Sequence, residues 1–291
     1  MNLSRRNLLK WGAGAAAVLA TGALDLEVEA QVRRKGKKGT GKPRTIPIGL
    51  QLYSVRQECE KDLPAVLKAV AKMGYQGVEF AGYYGRNAAE LKKLLDENRL
   101  KCCGTHIGLN VLEGDELQKT LEFNQTIGNR FLIVSYMGED RLGAPDKISQ
   151  TAKLMTEIAA QVKPKGMRVG YHAHGGDFKK IDDQTVWDLF FSAAGPEVCM
   201  QMDLGNCIGG GGDPYAALKK FPGRSATIHL KEHGGKPGAP VGEGEVKWKE
   251  VFQLCETTGK TEWYIVEQEA YAGAPLDSVK QCIDNLRKMG K

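Results

Sequence analysis

The chain has 291 residues, 42% hydrophobic and 26% charged, with 36 glycines that follow no three-residue repeat. Such a composition can bury a substantial core, and it excludes a disordered or collagen-like chain. No run of about 18 strongly apolar residues occurs, so nothing has to span a bilayer as a mature transmembrane helix. The formal charge of +6 would point to nucleic acid only if it were spread over a folded surface.

It is concentrated instead. Residues 31–44 (QVRRKGKKGTGKPR) carry seven basic groups and no acidic one, and residues 1–30 hold three of each. From Thr45 onward, 31 basic residues face 32 acidic ones, a net charge of −1. A near-neutral body lacks the basic array that phosphate binding needs, so nucleic acid is not expected as a partner. The stretch 31–44 reads as a basic, flexible linker. Ahead of it, Arg5 and Arg6 precede a modestly apolar run from Trp11 to Leu24, in which Gly12, Gly14 and Gly22 weaken any helix. Residues 1–30 resemble a twin-arginine export signal, with small residues at Val28 and Ala30 and cleavage after Ala30. The resemblance implies a periplasmic or secreted product with no stable membrane insertion after processing. Seven cysteines (59, 102, 103, 199, 207, 255 and 282) form no C-x-x-C pair, and an odd number cannot all pair. They are read as buried small hydrophobes, with no disulfide or zinc knuckle.

From Thr45 to Lys291, short apolar runs alternate with amphipathic stretches, the pattern of a parallel sheet. Strands are expected at Ile46–Tyr53, Gly77–Phe80, Lys101–His106, Phe131–Ser135, Arg168–His172, Cys199–Asp203, Ala226–His229 and Trp263–Glu267. Helices are expected at Leu63–Met73, Ala88–Asn98, Glu116–Ile127, Lys147–Val162 and Val246–Thr257, where apolar residues recur at spacings of three and four. Gly74 and Gly166 stand where helices stop. Eight such units predict an α/β fold, a single (β/α)8 TIM barrel over 45–291, with an open doubly wound sheet as the alternative.

In a barrel the active site is built on the C-terminal strand ends, and the polar residues collect there. In chain order they are Gln51 and Tyr53, Glu79, His106, Ser135, His172 and His174, Asp203 and Asn206, His229 and Lys231, and Glu267 and Glu269. Asp203, His229 and Glu267 close strands six, seven and eight. Carboxylate and imidazole converging on one cavity suit a hard or borderline divalent metal. Taken singly, each reads as a cap (Asp203), a core histidine (His229) or half of an ion pair (Glu267), and it is the three together at successive strand ends that read as a metal set. The fourth ligand is expected from strand five, in YHAHGGDF, where His172 is preferred over His174 or Asp177. His172 and His174 share one face of that strand. The glycine run Gly209–Gly212 lacks the lysine and spacing of a phosphate loop.

QLYSVR (51–56), GYQGVEF (74–80), GTHIG (104–108), YHAHGGDF (171–178), MDLGN (202–206), HLKEH (229–233), VGEGEVKW (241–248) and IVEQE (265–269) occur in this order in the xylose isomerase-like TIM barrels. The body from about Ile46 to the C-terminus resembles that group of sugar isomerases and epimerases, inosose dehydratases and endonuclease IV. The resemblance implies one divalent ion (Mn2+, Co2+, Zn2+ or Mg2+) on His172, Asp203, His229 and Glu267. The family's ketose epimerases have a glutamate where this chain has His172, a departure from the two-carboxylate mechanism.

The expected activity is enolisation of a keto-sugar or related polyol by an isomerase, an epimerase, or a lyase or dehydratase acting on 3-keto-glycosides or inososes. His172, His174, Glu267 and Lys231 are the candidate catalytic groups. Tyr53, Glu79, His106, Asp177, Asn206 and Glu243 are the candidate substrate-binding groups, with Trp187, Tyr83, Tyr84 and Trp248 as further sugar-stacking candidates. The partner is a small-molecule carbohydrate, and homo-oligomer formation stays open. A non-catalytic carbohydrate-binding barrel is the alternative. A nuclease resembling endonuclease IV is disfavoured by the body charge.

Overall fold

The computed structural model describes residues 45–291. The signal and linker expected at 1–30 and 31–44 lie outside the described residues. Eight parallel strands close a barrel in which each pairs with its sequence neighbours. They are β1 (Ile48–Gln51), β2 (Gly77–Ala81), β3 (Lys101–Ile107), β4 (Phe131–Val134), β5 (Arg168–His172), β6 (Cys199–Asp203), β7 (Thr227–Leu230) and β8 (Trp263–Val266). The expected barrel is therefore the observed one. A small antiparallel hairpin, Lys180–Ile181 with Gln184–Thr185, decorates the β5–β6 connection.

The two-residue period of a strand sorts side chains between the helix layer and the barrel interior. On β4, Leu132 and Val134 join the large core beneath the helices, whereas Phe131 and Ile133 pack with Cys199, Ala226 and Trp263 in a separate cluster. The same alternation gives Tyr171, Met200, Met202 and Ile228 to the outer core. It leaves His172, Gln201, Asp203 and His229 as buried polar residues of the interior, toward the C-terminal strand ends.

Boundaries differ from expectation where side chains intervene. The first strand stops at Gln51, two residues early, because Gln51 Oε1 accepts the Tyr53 amide at 3.0 Å and turns the chain into a short 3-10 helix at Leu52–Val55. The next helix begins seven residues early, at Arg56, and runs to Met73 with a break at Asp62 (φ −155°, ψ 81°). Asp62 Oδ1 accepts from the Ala65 amide, so the expected start at Leu63 corresponds to the second half. The helix expected at Val246–Thr257 spans Trp248–Leu254 and ends in a π-helical turn, Cys255–Gly259. Helices at Val186–Ala193, Pro214–Lys220 and Pro275–Lys288 follow β5, β6 and β8. All seven cysteines are buried and free. Among the described residues, no helix is long and apolar enough to cross a membrane.

Candidate metal centre

At the interior end of four consecutive strands, one ligand atom each from His172 (β5), Asp203 (β6), His229 (β7) and Glu267 (just after β8) lies within 4.8 Å of the others. All four residues are buried. His229 bridges two carboxylates: its Nδ1 is 2.5 Å from Glu267 Oε2 and its Nε2 is 2.6 Å from Glu79 Oε2. Burial alone would lower the His229 pKa, but Glu79 and Glu267 outweigh it and hold the pKa well above the ordinary imidazole value. Burial would raise Glu267, but His229 and Lys231 hold it down at about 2. Burial, and then the neighbouring histidines, push His172 well below the usual value, so it is neutral and available as a ligand.

Asp203 shows best that these residues fit a cation. Its Oδ1 accepts the Asn206 amide at 2.7 Å and caps the helix Leu204–Gly209, while its Oδ2 is buried without any hydrogen bond. Burial raises its pKa. An unpaired buried carboxylate oxygen is costly, and it is common where a cation belongs. The donor set, two imidazoles and two carboxylates, fits a divalent transition metal.

The cluster rests on a buried polar layer. Glu79 Oε2 accepts from Gln51 Nε2 at 2.8 Å, and its Oε1 accepts from Gln201 Nε2 at 2.9 Å. His106 Nε2 lies 3.2 Å from Glu79 Oε2 and 2.7 Å from Gln201 Oε1. A bulge between β2 and β3 sets Glu79 opposite Gly104 instead of Cys103. A Cβ on Gly104 would stand 2.1 Å from Glu79 Oε1, so only glycine leaves room for the inward carboxylate. Glu79 was expected to touch substrate. It is 0% exposed and its oxygens are already occupied, so it reaches the mouth only through His106 and His229.

Above the cluster, Lys231 Nζ donates to Asn206 Oδ1 at 2.9 Å and to Glu269, and lies 3.7 Å from Glu267 Oε1. Burial opposes its charge, but Asp203, Glu267 and Glu269 raise its pKa and keep it an ammonium. Asn206 Nδ2 is tied to Ala173 O at 3.0 Å, so it orients the lysine rather than being free itself. His174 stands edge-on to His172, with ring centroids 4.9 Å apart and a buried Nδ1 that has no partner. Burial lowers its pKa, leaving a neutral ring.

Asp177 lies behind these groups instead of among them. It accepts from Tyr171 OH at 2.9 Å and from the His174 amide at 2.8 Å, and burial lifts its pKa to about 6. Both carboxylate oxygens face inward to the β5 loop, so it positions His174 and is not among the clustered ligands. Glu243 is exposed in the loop after β7 and accepts from Asn285 Nδ2 at 2.9 Å, outside the cluster. Trp187 and Trp248, expected as sugar platforms, are 1% and 7% exposed core residues. Tyr83 and Tyr84 pack against the same core.

Tyr53 is 42% exposed, with the Arg56 guanidinium 4.3 Å above its ring. Its counterpart, unmarked by the sequence reading, is Tyr136 just past β4, 64% exposed and edge-on to His174 at 5.6 Å. The strand-end rule that selected Tyr53 also reaches Tyr136. Gln201 was missed as well, although it lies two residues before Asp203 and so shares its inward face. Within the glycine run, Gly210 packs directly on the β5 loop: a Cβ there would stand 2.3 Å from Gly175 O.

The family model described as xylose isomerase-like TIM barrel matches residues 67–289, and the twin-arginine translocation signal model matches residues 2–22. The chain is 24% identical over 266 residues to the rhizopine catabolism protein MocC of Rhizobium meliloti, covering 78% of this chain and 81% of that one. It is 24% identical over 250 residues to an inosose dehydratase of Bacillus thuringiensis, covering 72% and 83%. A solved sugar phosphate isomerase/epimerase from Parabacteroides distasonis superposes with a TM-score of 0.72 at 25% identity, covering 84% and 98%.

Proposed function

The chain belongs to the xylose isomerase-like TIM barrel family, and on that premise we propose that it is an exported, divalent-metal-dependent enzyme that enolises a keto-sugar or keto-polyol. The product is then either reprotonated, as in an isomerase or epimerase, or loses a β-substituent, as in a dehydratase. That the chain is a carbohydrate enzyme of this family follows from its relatives. The twin-arginine signal marks it for export, to the periplasm or beyond. An exported place favours unphosphorylated substrates, such as inososes or 3-keto-glycosides.

The observation that carries the proposal is the unpartnered Asp203 Oδ2 inside a four-residue ligand set. His172, Asp203, His229 and Glu267 would hold the ion. A divalent ion there supplies Lewis-acid polarisation of a carbonyl and its neighbouring hydroxyl, which acidifies the adjacent C–H. The chain's own groups then divide the remaining work. His174, neutral and with a free Nδ1, accepts the proton from the α-carbon. Lys231, held by Asn206 above Glu267, stabilises negative charge developing on the substrate oxygen. Tyr53 and Tyr136 offer ring faces at the mouth on which a sugar packs.

The inosose dehydratase relative favours the elimination branch for this chain. His172 in place of the epimerase glutamate supports the same branch, because it removes one of two proton-shuttling carboxylates. The test is elemental analysis of the mature protein, followed by deuterium uptake from solvent into a panel of unphosphorylated keto-sugars and inososes. Near-stoichiometric metal with metal-dependent exchange at the carbon beside the carbonyl is expected. A chain that binds no divalent ion would overturn the proposal and leave the barrel as a carbohydrate-binding surface.

A further inference from the structure

Beneath the ligand set, every donor and acceptor is assigned by one group. Glu79 accepts N–H groups from Gln51, Gln201 and His229, and the His106 Nε2–H lies within 3.2 Å of it. A carboxylate among these donors acts as acceptor only. Gln201 must therefore turn its NH2 toward Glu79, since its oxygen there would face another oxygen at 2.9 Å. The second amide hydrogen goes to Thr227 Oγ1 at 3.0 Å. That orientation leaves Gln201 Oε1 as acceptor for His106 Nε2 at 2.7 Å and His172 Nδ1 at 3.1 Å. His172 must then carry its proton on Nδ1, and its Nε2 lone pair is the one left for the ligand set. On the opposite side, both ring N–H groups of His229 face carboxylates, Nε2 that of Glu79 and Nδ1 that of Glu267, so Nδ1 is the nitrogen turned to the ligand set and its proton is the one a bound cation would displace.

We propose that Glu79 is a positioning residue for both metal histidines: it anchors His229 through Nε2 directly, and through the Gln201 amide it sets which ring nitrogen His172 offers. The inference rests on the metal reading above for its purpose, but the proton placement stands on the hydrogen bonds alone. Outer carboxylates that fix a ligand histidine are worth about 10–100-fold in metal affinity when removed. Here one carboxylate serves two such histidines, the second through an intervening amide.

The isosteric change Glu79→Gln exposes the relay. Its new NH2 would face either the Gln201 NH2 or the donors of Gln51 and His229. If Gln201 flips to relieve the first clash, its NH2 turns on His172, and the His172 proton moves to Nε2, where it blocks the ligand lone pair. The paired change Glu79→Gln with Gln201→Glu restores complementarity, because the amide then donates to the carboxylate at 201, and that carboxylate accepts from both histidines and Thr227. A space-filling role for Glu79 predicts no such rescue.

Histidine 15N long-range correlation spectra of the metal-free protein, with Zn2+ titrations and thermal unfolding alongside, test this. Expected are the Nδ1–H tautomer at His172 in the wild type, the Nε2–H tautomer in Glu79→Gln, and a Zn2+ affinity about 10–100-fold weaker in that variant. The paired variant should recover the wild-type tautomer and at least half the lost affinity on a logarithmic scale. A wild-type His172 in the Nε2–H tautomer overturns the relay without any substitution. So does a folded Glu79→Gln chain that keeps both tautomer and affinity, or a paired variant that recovers neither. Wild-type protein that ignores Zn2+ sinks the metal reading, while its spectra still decide the relay.

Discussion

Asp203 Oδ2 stands 3.7 Å from His229 Nδ1, too far for a hydrogen bond, and no other group reaches it. Asp203→Asn keeps the shape and removes the anionic donor. Metal content should fall from near stoichiometric to near zero. Wild-type protein at a Zn2+ concentration 100-fold above its Kd should gain about 2.7 kcal/mol of stability, and the variant almost none. Equal stabilisation of both chains would exclude Asp203 as a ligand.

His172 and His174 separate by function. His172 sits in the ligand set, while His174 keeps an unpartnered Nδ1 beside it. His172→Ala should lose the metal. His174→Asn should keep the metal and lose deuterium exchange by about 10²–10⁴-fold, the usual contribution of a positioned general base. Metal analysis together with exchange rates on both variants checks the assignment. The reverse pattern would exchange the two roles.

The barrel was legible because each strand is a short apolar run of four to seven residues, and eight of them, each followed by a helix, account for 45–291 apart from the hairpin in the β5–β6 connection. The ligand set was legible for a related reason: Asp203, His229 and Glu267 each stand within one residue of a strand's C-terminal end, where a barrel gathers its chemistry. The layer beneath was hidden. Glu79 reads as a substrate group because it is an acidic residue near the end of an expected strand, but depth along the barrel axis depends on strand stagger and on the bulge opposite Gly104, neither of which appears in one strand's pattern. Gln201 lies at the middle of its strand, two residues before the end where the barrel rule looks, and its partners are set by the carboxylate across the barrel. Glu243 reached outward because Asn285, 42 residues later, captures it.

Gly104→Ala tests the close approach under Glu79. A methyl 2.1 Å from Glu79 Oε1 forces either the carboxylate or β3 to move. Overpacking of this kind costs about 1–3 kcal/mol. Zn2+ affinity should weaken as well, since the displaced carboxylate is the one bonded to His229. Denaturant unfolding and Zn2+ titration give both quantities. A variant as stable and as tight as wild type would show that the bulge has slack.

The seven thiols should be silent in the native protein. Burial pushes Cys59, Cys102, Cys255 and Cys282 up to about 12, and all seven cysteines are buried. Thiolates are the reactive form, so a disulfide-exchange reagent at neutral pH should find no thiol in the folded chain and all seven in denaturant. Rapid native-state labelling at any position would reveal a local opening there.

Asp177 should give stability a slope with the opposite sign to an ordinary salt-bridged aspartate. Burial lifts its folded pKa from 3.8 to about 6. Between those values the folded chain holds a proton that the unfolded chain has released, so unfolding free energy falls as pH rises through that window and levels off above it. A shift of this size corresponds to about 3 kcal/mol for a group this deeply buried. Asp177→Asn removes the titration while keeping one acceptor for Tyr171 or the His174 amide. Relative to wild type, the variant should therefore gain about 2–3 kcal/mol between pH 4 and pH 7. Denaturant unfolding of both metal-free chains at the two pH values measures the difference, and cancels the titrations that the two chains share. A difference that stays constant with pH would place the Asp177 pKa at its ordinary value and return that carboxylate to the solvent side of the β5 loop.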